Sequence, residues 1–107
     1  MAEKIKEMIE FLSQPIFSSP IKIGILIALM GVNETSFAEL QTNLGINKST
    51  LSSVLESLEK EGLIKSFTVV ENRPKKHVKI TDEGRKIITT YLEYMENYTS
   101  IIKGKDK

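Results

Sequence analysis

At 107 residues, with 40% hydrophobic and 27% charged side chains, the chain has the size and composition of one globular domain. It has no cysteine and one histidine, His77, which excludes disulfides and thiolate metal sites and leaves little for a histidine-rich metal centre or Ser/His catalysis. No apolar run reaches the ~18–20 residues that cross a membrane, and the N-terminus lacks a signal peptide's apolar core, so an intracellular protein with no cofactor and no enzymatic chemistry is expected.

Residues 2–13 predict a helix, because Ile5, Met8, Ile9 and Leu12 recur at i, i+3, i+4 and i+7. Ser13-Gln14-Pro15 ends it, since proline removes a donor and restricts its predecessor. Residues 14–19 read as a linker whose Ile16 and Phe17 tuck against the core. Ser19-Pro20 opens a second helix with a hydroxyl cap and proline in the first turn. Its residues 21–30 are apolar nearly all round, which predicts a central, buried helix with Gly31 as terminator. Residues 33–35 are a turn or a very short strand. Ser36 caps the next helix, with Glu39 placed for a capping box, and that helix spans about 37–44. Gly45 makes a tight turn. Asn47 caps a further helix that runs to about residue 61, with Gly62 as its left-handed stop.

From residue 63 to 70 the pattern changes to β-branched and aromatic residues, a strand signal. Residues 72–76 form a polar turn, and residues 77–80 a second strand with Val78 and Ile80 alternating against Lys79. Thr81, Asp82 and Glu83 open the last helix with a cap and two acids at the positive end of its dipole. It extends to about residue 102 with a wide apolar stripe, and residues 103–107 read as a frayed, charged tail.

Charge is distributed unevenly. Residues 1–46 carry three basic and five acidic groups, whereas residues 65–80 carry five basic groups (Lys65, Arg73, Lys75, Lys76, Lys79) and one acid, Glu71. A local basic patch on a near-neutral chain is the pattern of a phosphate contact, although a charge run is as often a solvated loop. The helix from residue 47 adds to this. Leu51, Val54, Leu55 and Leu58 must be buried, and Ser49, Thr50, Ser52, Ser53 and Ser57 fill much of the rest. A face of short hydroxyls with one lysine at its start suits insertion into a DNA groove.

Three motifs now coincide. Leu40, Leu44, Ile46, Leu51 and Val54 flank Gly45; Leu58-Glu59-Lys60-Glu61-Gly62-Leu63-Ile64 leads into the first strand of the hairpin; Val78-Lys79-Ile80-Thr81-Asp82-Glu83-Gly84-Arg85 joins its second strand to the last helix. In this order and spacing the chain resembles the winged helix-turn-helix transcriptional regulators, closest to small MarR-like and PadR-like types of archaea and bacteria, over roughly residues 20–102. Gln41 stands where that family often has a small residue. The implied fold is mainly α with a small β-hairpin (α+β), a winged core at 19–81 flanked by an N-terminal helix and linker at 1–18 and a C-terminal helix and tail at 82–107.

The resemblance implies a homodimeric, sequence-specific, double-stranded DNA-binding regulator in the cytoplasm, associated with the nucleoid. Asn47, Lys48, Ser49, Thr50, Ser52 and Ser53 would lie in the major groove, Asn47 more as a cap than a base contact. On the wing, Asn72, Arg73, Lys75 and Lys76 would meet phosphates or the minor groove, and His77 could add a hydrogen bond. The terminal helices would dimerise through Ile5, Met8, Ile9, Leu12, Ile88, Tyr91, Leu92, Met95, Tyr98 and Ile102. Tyr91, Tyr94 and Tyr98 could also line a small-molecule effector pocket, as in MarR-like sensors, though aromatic stripes are usually packing. The absence of cysteine excludes ArsR-like thiolate metal sensing. Two other classes stay open: a weakly specific chromatin protein, since the helix lacks arginine and glutamine for bidentate base contacts, and a winged-helix protein-interaction module.

Overall fold

Capping punctuates the chain. The computed structural model describes residues 2–105, with side chains described to Thr99. Ser19 Oγ accepts from the Lys22 N–H at 3.3 Å, Ser36 Oγ from the Glu39 N–H at 3.1 Å, and Asn47 Oδ1 from the Thr50 N–H at 2.8 Å. Each satisfies an N–H that a helix start leaves unpaired, at about 0.5–2 kcal/mol per cap. They open α2 (Pro20–Val32), α3 (Phe37–Leu44) and α4 (Lys48–Lys60). The expected capping box is half formed, because the Glu39 carboxylate takes the Thr35 hydroxyl at 2.8 Å instead.

Before them comes α1 (Ala2–Leu12), with no buried residue. The expected linker holds a 3₁₀ turn, Pro15–Ser18, which drives Ile16 into the core. Phe17 packs on it from the side and stacks on Tyr91 at 5.2 Å between ring centroids.

Two expectations for α2 are corrected. It runs through Gly31 and stops at Asn33, whose φ is 73° and whose N–H donates to the Leu29 carbonyl at 2.7 Å. Nor is it buried all round: Ile25, Leu26 and Leu29 are fully enclosed, but Ile27 is 41% and Val32 60% exposed. Its neighbours, α4, α5 and the sheet, leave one side open. By contrast, Gly45 (φ 64°) and Gly62 (φ 77°) are the left-handed stops expected. At Gly62 the Leu63 N–H reaches the Leu58 carbonyl and the Gly62 N–H the Glu59 carbonyl, both at 3.0 Å. This double bond pattern closes α4 and turns the chain into the sheet.

The expected hairpin is part of a three-stranded antiparallel sheet, β1 (Glu34–Ser36), β2 (Ile64–Val70) and β3 (Pro74–Ile80), in the order β1-β3-β2. Residue 35 pairs with 78, and 64 with 80. β3 begins three residues earlier than expected, so Lys75 and Lys76 are strand residues opposite Val69 and Thr68, and the turn shrinks to residues 71–73. Proline is tolerated at the first position of a strand, where no ladder donor is lost.

The core lies between α2, α4 and the sheet: Ile25, Leu26 and Leu29, then Leu51, Leu55 and Leu58, then Ile64, Val78 and Ile80. Burying each large aliphatic side chain contributes about 1.5–3 kcal/mol. Val54 is only half-buried. α5 (Asp82–Lys105) closes the core with Ile88, which is fully buried. Ile88 is therefore a core residue of this chain and not the dimer-face residue expected from the stripe.

At 24 residues, α5 is longer than expected and includes residues 103–105 of the expected tail. Its ~36 Å, at 1.5 Å per residue, exceeds what the core can cover, and the molecule is elongated, 58 × 26 × 24 Å.

Candidate nucleic-acid interface

The exposed start of α4 is set by its buried side. Leu51, Leu55 and Leu58 are locked into the core, which turns Lys48, Ser49 and Ser53 outward and leaves Thr50 and Ser52 half-buried. Asn47 is exposed but engaged: its side-chain oxygen holds the Thr50 N–H and also accepts from the Ser49 hydroxyl at 2.9 Å. It is a cap, as read from the sequence, and Ser49's proton is committed to it.

The wing meets this helix on one side. Lys48 and Ser52 of α4 and Lys75 and Lys76 of β3 line a single open groove, together with Ser36, Phe37, Ala38 and Glu39. Four of the expected contact residues are thereby brought together across 27 residues of sequence. Lys76 lies over the Phe37 ring at 5.9 Å from its centroid, which steadies the ammonium at the groove wall. Phe37 and its neighbours on α3 went unread in the sequence. The only signal was Phe37 in the first turn of a short helix, which reads as core. Asn72 and Arg73 sit exposed in the turn at the far end of the hairpin, outside the groove.

The hairpin face on which Lys75 stands also carries Lys65, Phe67, Lys79 and His77, by the alternation of the paired strands. The His77 ring tilts against Phe67 at 5.7 Å, and its buried Nδ1 has no hydrogen-bond partner among the described residues.

The junction after the wing ties this surface to the body. Thr81 Oγ1 donates to the Gly62 carbonyl at 2.7 Å and accepts from the Gly84 N–H at 3.0 Å, so one hydroxyl caps α5 and clasps the end of α4. The Thr81 N–H donates to the Leu63 carbonyl at 3.1 Å, and the Ile80 N–H to the Asn33 carbonyl at 3.2 Å. The Arg85 guanidinium donates to the Asn33 side chain and lies 3.7 Å from Met30 Sδ. The Thr-x-x-Gly-Arg pattern is thus the knot between wing, α2 and α5.

The terminal helices keep apolar surface. Ile9, Leu92 and Tyr98 are exposed, and Ile5, Met8, Leu12, Tyr91 and Met95 half-buried; Ile102 lies beyond the described side chains. Two tyrosines have partners within the chain: Tyr91 on Phe17, and Tyr94 against Phe11 at 5.1 Å. No helix among the described residues is long and apolar enough to cross a membrane.

Comparison with known proteins adds to this geometry. The sequence model of a family described as winged helix DNA-binding domain matches residues 21–99. An uncharacterized protein of Methanocaldococcus jannaschii is 31% identical over 78 residues, 72% of this chain and 85% of the relative. The transcriptional regulator homologue of Pyrococcus horikoshii superposes with a TM-score of 0.80 at 30% identity, covering 98% of this chain and 99% of its own. A MepR mutant of S. aureus, solved bound to an oligodeoxyribonucleotide, shares the fold at 16% identity, with a TM-score of 0.78 and coverage of 96% and 75%.

Proposed function

Because the chain belongs to the winged helix DNA-binding domain family, we propose that it is a homodimeric, sequence-specific, double-stranded DNA-binding transcription regulator working in the cytoplasm on the nucleoid. The observation that carries this reading is the shared groove in which Lys48 and Ser52 of α4 face Lys75 and Lys76 of β3. In the proposed complex the first turns of α4 enter the major groove. Lys48 reaches a guanine edge or a phosphate, and Ser52 and Ser53 donate to or accept from base edges. Lys75 and Lys76 take the phosphate strand that borders the groove, and Arg73 at the turn reaches toward the minor groove.

Dimerisation is proposed through the apolar strip that α1 and α5 share, centred on Ile9, Leu92 and Tyr98, with Ile5, Met8, Leu12, Tyr91 and Met95 at its margins. Such a dimer would set two α4 helices about one DNA turn, ~34–36 Å, apart and would favour a pseudo-palindromic site. A small-molecule effector is not part of the proposal, because Tyr91 is stacked on Phe17, and the cleft that Tyr94 and Tyr98 line with Ile5 and Met8 holds only about 160 Å³, below the ~300–1,000 Å³ of ordinary ligand sites.

Selection of bound duplexes from a random pool tests the whole reading. The expected result is an inverted repeat with half-sites one turn apart. A pool that stays random despite binding would assign a weakly specific chromatin protein, and no retained DNA would assign a protein-interaction module.

A further inference from the structure

Lys22 is the one charged residue of α2. It stands in that helix's first turn, where a cation opposes the positive end of the helix dipole. Its placement therefore serves something other than α2. The side chain is 13% exposed, and its ammonium donates to Ser57 Oγ at 2.6 Å and to Glu61 Oε1 at 3.0 Å. Ser57 and Glu61 stand one turn apart at the C-terminal end of α4, where the last carbonyls carry partial negative charge and favour a cation. The rest of the α2–α4 contact is the shared apolar core. That apolar packing decides which face of α4 points inward, but being non-directional it leaves the fine adjustment of roll and axial position open. A charged donor held between two fixed acceptors sets it.

A second tie holds the same end of α4: Glu59 Oε1 accepts from the Ser66 N–H of β2 at 2.8 Å. At the other end, among the described residues, the side chains of Lys48, Ser52 and Ser53 make no hydrogen bond, and Ser49 bonds only to the cap. Among the described residues the polar side-chain ties from α4 to other elements thus lie at its far end, while its reading end is held by the packing of Leu51.

We propose that Lys22 is a positioning residue for DNA readout. It fixes the roll and axial register of α4 from behind, and so sets discrimination between sequences more than overall affinity. The proposal rests on the reading of α4 as the base-contacting helix. The lever is long: from Ser57 to Lys48 is nine residues, ~14 Å at 1.5 Å per residue. A tilt of about 5° at the anchored end moves the reading end by ~1.2 Å, more than the ~0.5 Å width of the hydrogen-bond distance range.

The test compares the full-length parent with Lys22→Met and Lys22→Arg on two duplexes, the parent's own selected site and a scrambled duplex of the same length. Methionine keeps the flexible apolar stem and removes the ammonium. The expected result is that Lys22→Met loses about tenfold or more on the selected site, the scale of one good base contact. Affinity for the scrambled duplex, which phosphate contacts set, should change by less than about twofold, and Lys22→Arg should recover most of the discrimination. A ratio between the two duplexes that is the same in Lys22→Met as in the parent overturns the proposal, as does an equal loss on both. Should Lys22→Met melt below the assay temperature, Ser57→Ala replaces it under the same criteria, because it removes one acceptor while favouring the helix. A parent that selects no site refutes the underlying reading instead, and that is seen before any variant is made.

Discussion

A methyl group at Gly84 has no room. A Cβ built there lies 2.2 Å from the Leu63 carbonyl oxygen and 2.8 Å from Ile80 Cγ1. Relief requires separations larger by about 1.3 Å from the oxygen and about 0.7 Å from Ile80, given contacts of ~3.5 Å. The oxygen cannot retreat freely, since it accepts the Thr81 N–H at 3.1 Å, and Thr81 in turn clasps Gly62 and caps α5 through Gly84. Overpacking of this kind costs about 1–3 kcal/mol, and a strained or lost hydrogen bond adds about 1 kcal/mol. Alanine's better helix propensity returns about 1 kcal/mol. Gly84→Ala is therefore expected to destabilise by about 1–3 kcal/mol and to lower Tm by roughly 5–20 °C for a chain of this size. Gly24→Ala is the matched control: it lies inside α2 with nothing within 4 Å of the added carbon, so it should stabilise by up to about 1 kcal/mol. Urea and thermal unfolding at one fixed protein concentration measure both, because the proposed dimerisation would make Tm concentration-dependent. An unfolding midpoint for Gly84→Ala at or above the parent's would refute the close-approach argument.

The remaining predictions concern the wing, the dimer and the end of α2. Replacing Arg73, Lys75 and Lys76 together with alanine should weaken binding to every duplex and flatten the slope of log affinity against log salt by about 1.8, two phosphates at ~0.9 each; an unchanged slope in a salt titration removes the wing from the interface. Ile9→Glu combined with Leu92→Glu places like charges on the proposed dimer strip and should give a monomer on sedimentation, whereas a persisting dimer moves the interface elsewhere. Asn33→Gly and Asn33→Ala both lose the Arg85 contact, but only alanine incurs the left-handed strain of about 1–2 kcal/mol, so chemical denaturation should rank glycine above alanine; equal stabilities would mean that the backbone at 33 relaxes.

Much of the candidate site was legible in the sequence because its signals are local. The serine-rich face of α4 follows from the period of Leu51, Leu55 and Leu58, and its start from the Asn47 cap. The basic segment shows in a count of charges. What stayed hidden was how these pieces face one another. Lys75 and Lys76 read as turn residues, since proline and lysine are weak strand formers; they are strand residues because β3 is paired on both edges. Ile88 belongs to an apolar stripe so wide that periodicity cannot say which of its positions meets the body and which meets solvent. Lys22 is the one charge of an otherwise apolar helix, and nothing local signals its partners, which lie 35 and 39 residues away.

The sequence by itself determined where the helices start, where Gly45 and Gly62 turn the chain, and which face of α4 is apolar. Those outcomes depend on interactions within a few residues, hydrogen bonds of caps and the period of buried side chains, which act before any distant segment arrives. The tertiary structure alone decided that α2 stops at Asn33 and not at Gly31. There the Asn33 carbonyl receives the Ile80 N–H, and its side chain receives Arg85. Gly31 costs a helix only about 1 kcal/mol, and hydrogen bonds from two distant strand and helix residues are enough to carry the chain past it. The same kind of long-range polar tie, from Lys22 to Ser57 and Glu61, is what holds the helix that the sequence had already marked for DNA.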